Sequence, residues 1–314
     1  MNNLQNRYFY GGTMVNPLEN FSQEHVVKLH DAASPQELGI GSYKGKLVRV
    51  NTSTMEHLKL AQETLRKTKM ILPYGASNQI SDIVHTEGAS LARGIMKNTL
   101  VPPSPTPSPY ANAKVAAHFQ AGGSREHADV AYTLLAQKRI NAPVLEVRDN
   151  NRDHDYVLIG DPRDQTWGEK NTVVVDPWVR YPSAVTLKQA KNHNPDSQPI
   201  HQRERNAAPV PDAHRLNSIK HVTKKELYDF SFDTSLPLIG PEYLRELAVD
   251  DEFESIPDEK TVAKDPSTRY TSNFINAKSM DKIAQATVLR QRAAQQAMES
   301  SPYVAPVLRE RAAQ

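Results

Sequence analysis

The chain contains no cysteine. That excludes disulfides, cysteine-ligated metal and, in the sequence as it stands, a thiol nucleophile. Apolar runs are short. None approaches the ~20 residues a helix needs to cross a bilayer, so no membrane span is expected. Neither sign of charge dominates: 38 Lys and Arg against 36 Asp and Glu leave +2 over 314 residues. No segment gathers basic side chains into a stripe that would follow a phosphate backbone, so nucleic acid is not an expected partner. Glycine is scarce, 13 against 22 prolines, which favours stiff, extended connections. The opening MNNLQNRYFYGG lacks the basic start and apolar stretch of a Sec signal, and has no glycine at position 2 for myristoylation.

Six stretches follow from the pattern. Residues 1–50 are polar and aperiodic and read as a flexible leader. Residues 51–100 read as helical. Ser53 and Glu56 have capping-box spacing, Met55, Leu58, Ala61 and Leu65 share a face, and Pro73 ends the first helix. A second helix spans about 78–98, with Gly88 and Gly94 weakening its continuity. VPPSPTPSP, residues 101–109, holds five prolines and reads as a polyproline II linker, with a ligand for an SH3-type module as the less common alternative. Residues 110–190 carry the densest globular pattern, 191–220 a polar surface loop, and 221–314 mixed elements with a helix near 279–299 that completes the core or forms an accessory lobe.

Within 110–190 the elements alternate in a definite order. A short helix over 111–120 leads through Ala121-Gly122-Gly123 to Ser124. A second helix, 125–138, is apolar around much of its girth (Ala128, Val130, Ala131, Leu134, Leu135), as a buried central helix would be. Strands are expected at 144–148 and 155–159, joined through Asp149-Asn150-Asn151, and at 172–175, where Asp176-Pro177 ends the ladder.

Three polar residues stand where acyl transfer needs them. Ser124 opens a helix, where unpaired N–H groups favour an anionic nucleophile. His154 precedes one strand, in reach to act as base. Asp176 ends the next strand and would fix the imidazole. Neighbouring strands lie ~4.8 Å apart, so His154 and Asp176 can meet side by side. The bland alternatives are a helix cap for Ser124, an edge histidine for His154 and a turn aspartate for Asp176. The Ser124 backbone N–H is the first oxyanion donor to consider, with Gln120 and Gly123 as further candidates at the substrate side. Glu126 either orders the loop or simply favours the first helical turn. His127 reads as buried and hydrogen-bonded, and Trp178 as core packing that also shields the site. His193, His201, His214 and His221 lack metal-ligand spacing and read as solvated, and no metal or other cofactor is expected.

The segments AGGSREHADVAYTLL, DHDYVLIGD and TVVVDPW resemble, in order and spacing, the nucleophile, histidine and aspartate segments of transglutaminase-like and papain-like cysteine hydrolases. Among these they look most like bacterial type III effectors of the AvrPphE/HopX family. The resemblance covers about residues 111–188. It implies an α+β fold with a central helix packed on an antiparallel sheet and further helices on both sides. It also implies a Cys-His-Asp site acting as protease, glutamine deamidase or transglutaminase on a host protein. A virulence factor secreted by a type III system and translocated into the host cytosol would be expected, with a secretion chaperone as a possible partner of the N-terminus. Two positions depart from the family pattern: its asparagine before the nucleophile is Gly123, and its cysteine is Ser124. Replacing a lone cysteine leaves a chain with none, which suggests an inactivating substitution. A natural pseudoenzyme, a non-catalytic binding protein or a true serine enzyme is the alternative.

Overall fold

Asn51 starts the first long helix. Its side-chain oxygen accepts the N–H of Thr54 at 2.6 Å and caps α1, Thr52–Ile71. The cap therefore stands two residues before Ser53, the position that capping-box spacing indicated. Leu58, Ala61 and Leu65 are fully buried along the apolar face, and α1 packs on α5 and β6 of the central layer. The computed structural model describes residues 8–10, 13–15, 34–36, 38, 40–102, 108–234, 239–240, 256–272 and 289. The helix expected near 279–299 lies, but for Leu289, outside them, as does most of the proline-rich run.

The expected second helix is two. Gly88, at φ 87°, breaks the periodicity between α2, Ile80–His85, and α3, Ala89–Leu100. A left-handed residue is where glycine is tolerated best. Pro109, last of the proline run, is not linker: it starts α4, Pro109–Phe119, where its missing N–H is no loss. Gly123 caps α5, Ser124–Ala136, whose Ala128, Val130, Ala131 and Leu135 are all fully buried.

The sheet has five antiparallel strands in the order β7-β6-β5-β4-β8. β4 (Val144–Asp149) and β5 (His154–Ile159) form the expected hairpin, paired from Val144 opposite Ile159 to Asp149 opposite His154. β6 (Val173–Val175) pairs with β5, and β7 (Val185–Thr186) with β6. Every residue of β5 and β6 is buried, as β-branched central strands require. The stretch read as a surface loop, 191–220, contributes β8 (Gln198–Arg203), which pairs with β4 across a bulge at Glu146/Val147. Its alternating half-buried pattern is that of an edge strand, and its polar composition hid it.

Two smaller pairings lie outside this sheet: the hairpin β1 (Tyr8–Tyr10) and β2 (Thr13–Val15), and the parallel pair β3 (Leu47–Arg49) and β9 (Arg269–Thr271). The β3–β9 pair ties the end of the expected leader to a segment more than 200 residues later. Short helices complete the described residues: α6 (Gly168–Asn171) and α7 (Lys224–Asp233), the latter capped by Thr223 and Glu226. The chain is thus α+β, a five-stranded antiparallel sheet with several helices, and its main core lies between α1, α5 and β4–β7. No helix among the described residues is long and apolar enough to cross a membrane.

Candidate active site

α5 presents Ser124 as its first helical residue, because Gly123 takes the cap position with extended backbone. The helix-cap alternative for Ser124 is therefore not what the structure has. Glu126 reaches back and accepts the N–H of Gly123 at 2.8 Å, while its other oxygen binds Lys97. Burial alone would raise the Glu126 carboxyl, but Lys97 and the Gly123 amide outweigh it and hold the group below its ordinary range. Glu126 thus orders the turn into α5. Gly122 has no room for a side chain there: a Cβ would stand 2.4 Å from Glu126 Cβ.

The Ser124 hydroxyl is half-buried and accepts the backbone N–H of Asp155 at 3.3 Å. That puts it beside the start of β5, one residue from His154. The register Val157 opposite Val175, carried on, sets Asp176 across from Tyr156 and so near His154. Accordingly, His154 Nε2 lies 2.8 Å from Asp176 Oδ2. His154 Nδ1 is buried and has no hydrogen-bond partner, so Ser124 and His154 are not hydrogen-bonded to each other. The structure brings His154 and Asp176 into contact and Ser124 alongside them.

Asp176 collects donors from several directions. Trp178 N–H donates to Oδ1 at 3.1 Å, and His193 Nε2 stands 3.0 Å from Oδ2. Burial by itself raises the carboxyl, but the charge and hydrogen bond of His154 and those of His193 together hold it far below the carboxylate range. The Trp178 ring packs against His154, centroids 4.7 Å apart, so packing and shielding describe the same contact.

A strap pairs with the turn that leads into α5. Ala76 and Gly122 form a parallel bridge, with Ser77 N–H donating to the Gly122 carbonyl at 2.9 Å. Asp82 holds the strap by accepting Ala76 N–H at 2.8 Å, and Arg180 anchors Asp82 at 3.2 Å. Next along the strap, the exposed Asn78 accepts the Trp178 indole N–H at 2.9 Å. An indole N–H only donates, so this bond fixes which way the carboxamide faces. Both ends of that amide lie 3.7 Å from where a Gly123 Cβ would be.

Several assignments change with these positions. Gln120 ends α4 in a left-handed conformation, where its carbonyl accepts Tyr74 N–H at 3.2 Å. Its backbone thereby ties α4 to the strap. His193 is not solvated; its side chain is 2% exposed and joins the site through Asp176. His127 is buried, its Nδ1 donating to the Gly123 carbonyl at 2.8 Å, and burial pushes it down to about 4. Asn78 and His193 are the two site residues missed by sequence reasoning. Neither has a motif, and both arrive from segments far in sequence from Ser124.

His154 Nε2, Asp176 Oδ2 and His193 Nε2 lie within 4.8 Å of one another, a donor set of the composition zinc takes. Their separations from the shared oxygen, 2.8 and 3.0 Å, are those of hydrogen bonds. Behind the site, Asp129 on α5 and Glu146 on β4 are fully buried. Neither has a partner at ordinary hydrogen-bond length, although Asn112 and Arg125, the latter at 3.9 Å, act on Asp129, and Asp129 acts in turn on Glu146. Burial first, and mutual repulsion with neighbouring carboxylates second, push both carboxyls up.

No family model, curated protein or solved structure matches the chain.

Proposed function

We propose that this protein carries an acyl-transfer site on a transglutaminase-like or papain-like core, with position 124 as the nucleophile, His154 as base and Asp176 as its orienting carboxylate. The observation that carries this reading is the division of labour on the imidazole. Nε2 is committed to Asp176, while Nδ1 is left buried and unpartnered, at the end of β5 beside which Ser124 Oγ sits. A base needs one nitrogen oriented and the other free.

The surroundings of position 124 suit an anion. The start of α5 and the Asp155 N–H both direct positive ends at its side-chain atom. A thiolate gains from this more than a hydroxyl, whose pKa lies far higher. In a cysteine form the thiolate attacks a carboxamide or peptide carbonyl carbon and a C–S bond forms. The C–N bond then breaks, and the leaving amine takes a proton from His154. Water, activated by the same imidazole, releases the acid and restores the thiol; an amine in place of water gives cross-linking. In this reading the donors to the developing oxyanion are the residue 124 N–H and the carboxamide N–H group of Asn78, whose oxygen the Trp178 indole engages. The substrate class, a host protein reached through type III secretion, rests on the family resemblance alone.

A non-catalytic binding protein or pseudoenzyme is the second reading. It is favoured by one observation: Ser124 accepts a hydrogen bond from Asp155 and makes none with His154. Ser124→Cys followed by iodoacetamide separates the two. A hyper-reactive thiol that becomes ordinary in His154→Ala supports the enzyme, and ordinary reactivity unaffected by His154→Ala rejects it. For the reaction type, intact mass spectrometry of candidate host proteins exposed to the cysteine form is decisive. A gain of about one mass unit marks deamidation, a loss near seventeen cross-linking, and fragments proteolysis. Asn78→Ala in the cysteine form is expected to slow acylation on the order of a hundredfold.

A further inference from the structure

Arg125 stands where a helix least favours a cation. It is the second residue of α5, at the end where the macrodipole is positive. Its guanidinium makes no hydrogen bond among the described residues. Asp129, one turn along the helix, approaches it at 3.9 Å, beyond hydrogen-bond length. Yet the side chain is only 30% exposed, so the charge is held part-way into the protein with its donors unused. A residue that breaks a local rule without a compensation visible in the fold is a candidate for function.

Its place is beside the nucleophile, on the side away from Asp176. Ser124 meets β5 at the Asp155 N–H, while Arg125 acts on Glu146 of β4 and on His201 of β8. The strand order β6-β5-β4-β8 sets these two on the far side of β5 from Asp176. The other charged groups there are already engaged or weak. Arg148 pairs with Asp155, directly across the hairpin, through bonds of 2.8 and 3.1 Å. Asp129 and Glu146 are pushed up, by burial first, and give the guanidinium little negative charge. Burial and the charge of Arg125 push His201, opposite Glu146, down, so it adds no cation at neutral pH.

Resting on the acyl-transfer reading of this site, we propose that Arg125 is a specificity-determining residue. Its guanidinium receives an acidic side chain of the substrate, so the acyl donors taken are those with a carboxylate close to the carbonyl attacked at position 124. A guanidinium is a planar fork that a carboxylate fills with two parallel hydrogen bonds. The substrate thus supplies the partner that the fold withholds.

Iodoacetate and iodoacetamide differ by one charge and little in size. The ratio of their alkylation rates on the full Ser124→Cys chain therefore reads the charge beside the thiol, while the thiol's own reactivity cancels. Adding Arg125→Gln is expected to lower that ratio about tenfold, the order that a charge-assisted hydrogen bond gives. Arg125→Lys, which keeps the charge and loses the fork, should fall between. An unmoved ratio in folded Arg125→Gln overturns the proposal. So does an unmoved ratio with a clear fall in thermal midpoint, which would mean that Arg125 serves Asp129; loss of a first-turn cation should instead leave the midpoint level or slightly higher. Binding to the Ser124 chain is measured apart from any catalysis. With nitrogen-15 labelled arginine, N-acetylglutamate amide is expected to shift the Arg125 Nε signal and N-acetylglutamine amide to leave it in place. Equal shifts, or none, overturn the carboxylate site. If only the acidic probe shifts the signal but Ser124→Cys shows ordinary iodoacetamide reactivity, the acyl-transfer reading fails while the carboxylate site stands.

Discussion

Two buried carboxylate sites share one sheet and meet opposite fates. Asp176, beyond the end of β6, is surrounded by donors and held strongly ionised. Asp129 and Glu146, between α5 and β4, are as deeply buried, have no partner within hydrogen-bond length, and are pushed toward the protonated form. Burial raises a carboxyl in both places, and only the supply of donors reverses it. Glu126 lies between the extremes: well buried, but paired with Lys97 and the Gly123 amide. The difference separates a carboxylate equipped to work as an anion from a pair that the fold tolerates only as acids.

The sharpest way to break the comparison is Asp176→Ala. It leaves two imidazoles and the Trp178 amide without their common acceptor, and is expected to cost about 3–5 kcal/mol in urea unfolding. It should also abolish any enhanced reactivity of a cysteine at 124. Gly122→Ala tests the intermediate case. The new methyl collides with Glu126 and displaces it from the Gly123 amide, with an expected loss of about 1–3 kcal/mol in the same measurement.

The pH dependence should have opposite signs at the two sites. Asp176, with its folded-state pKa lowered, contributes stability that is present above about pH 4 and lost only in strong acid. Asp129 and Glu146 have raised folded-state values, so the folded chain holds the extra protons. Their contribution is full below about pH 4 and drains away as pH rises through neutrality. Asp129→Asn combined with Glu146→Gln should therefore flatten the alkaline fall in thermal stability, gaining about 1–2 kcal/mol near pH 8. The smallest effect is expected for Asn78→Ala. Loss of the Trp178 indole partner should cost about 1 kcal/mol, measured by unfolding of the Ser124 form. A much larger loss would mean that the strap holds the fold and not only the site.

The helical and strand periods over 110–176 were legible, because Ala128, Ala131 and Leu135 repeat at helical spacing and β5 and β6 are built of residues that pack as strands. The contact between His154 and Asp176 was legible for the same reason: adjacent antiparallel strands leave few places for side chains at their ends. Asn78, His193 and β8 were not. β8 has a strand's alternation in a polar composition, and nothing local distinguishes Asn78 or His193 from other loop residues. The left-handed end of α4 at Gln120, which lets the chain meet Tyr74, was likewise not announced by the residues around it.

The amino-acid sequence by itself set where helices and strands run and which residues end them, since backbone preference and apolar period act over a few neighbouring positions. Only the tertiary structure decided which polar groups share a buried space: two histidines on one carboxylate, a carboxamide turned by an indole, a pair of acids with too few donors to stay ionised. Those outcomes depend on distances between segments remote along the chain, and on whether water is replaced there by a donor or by nothing.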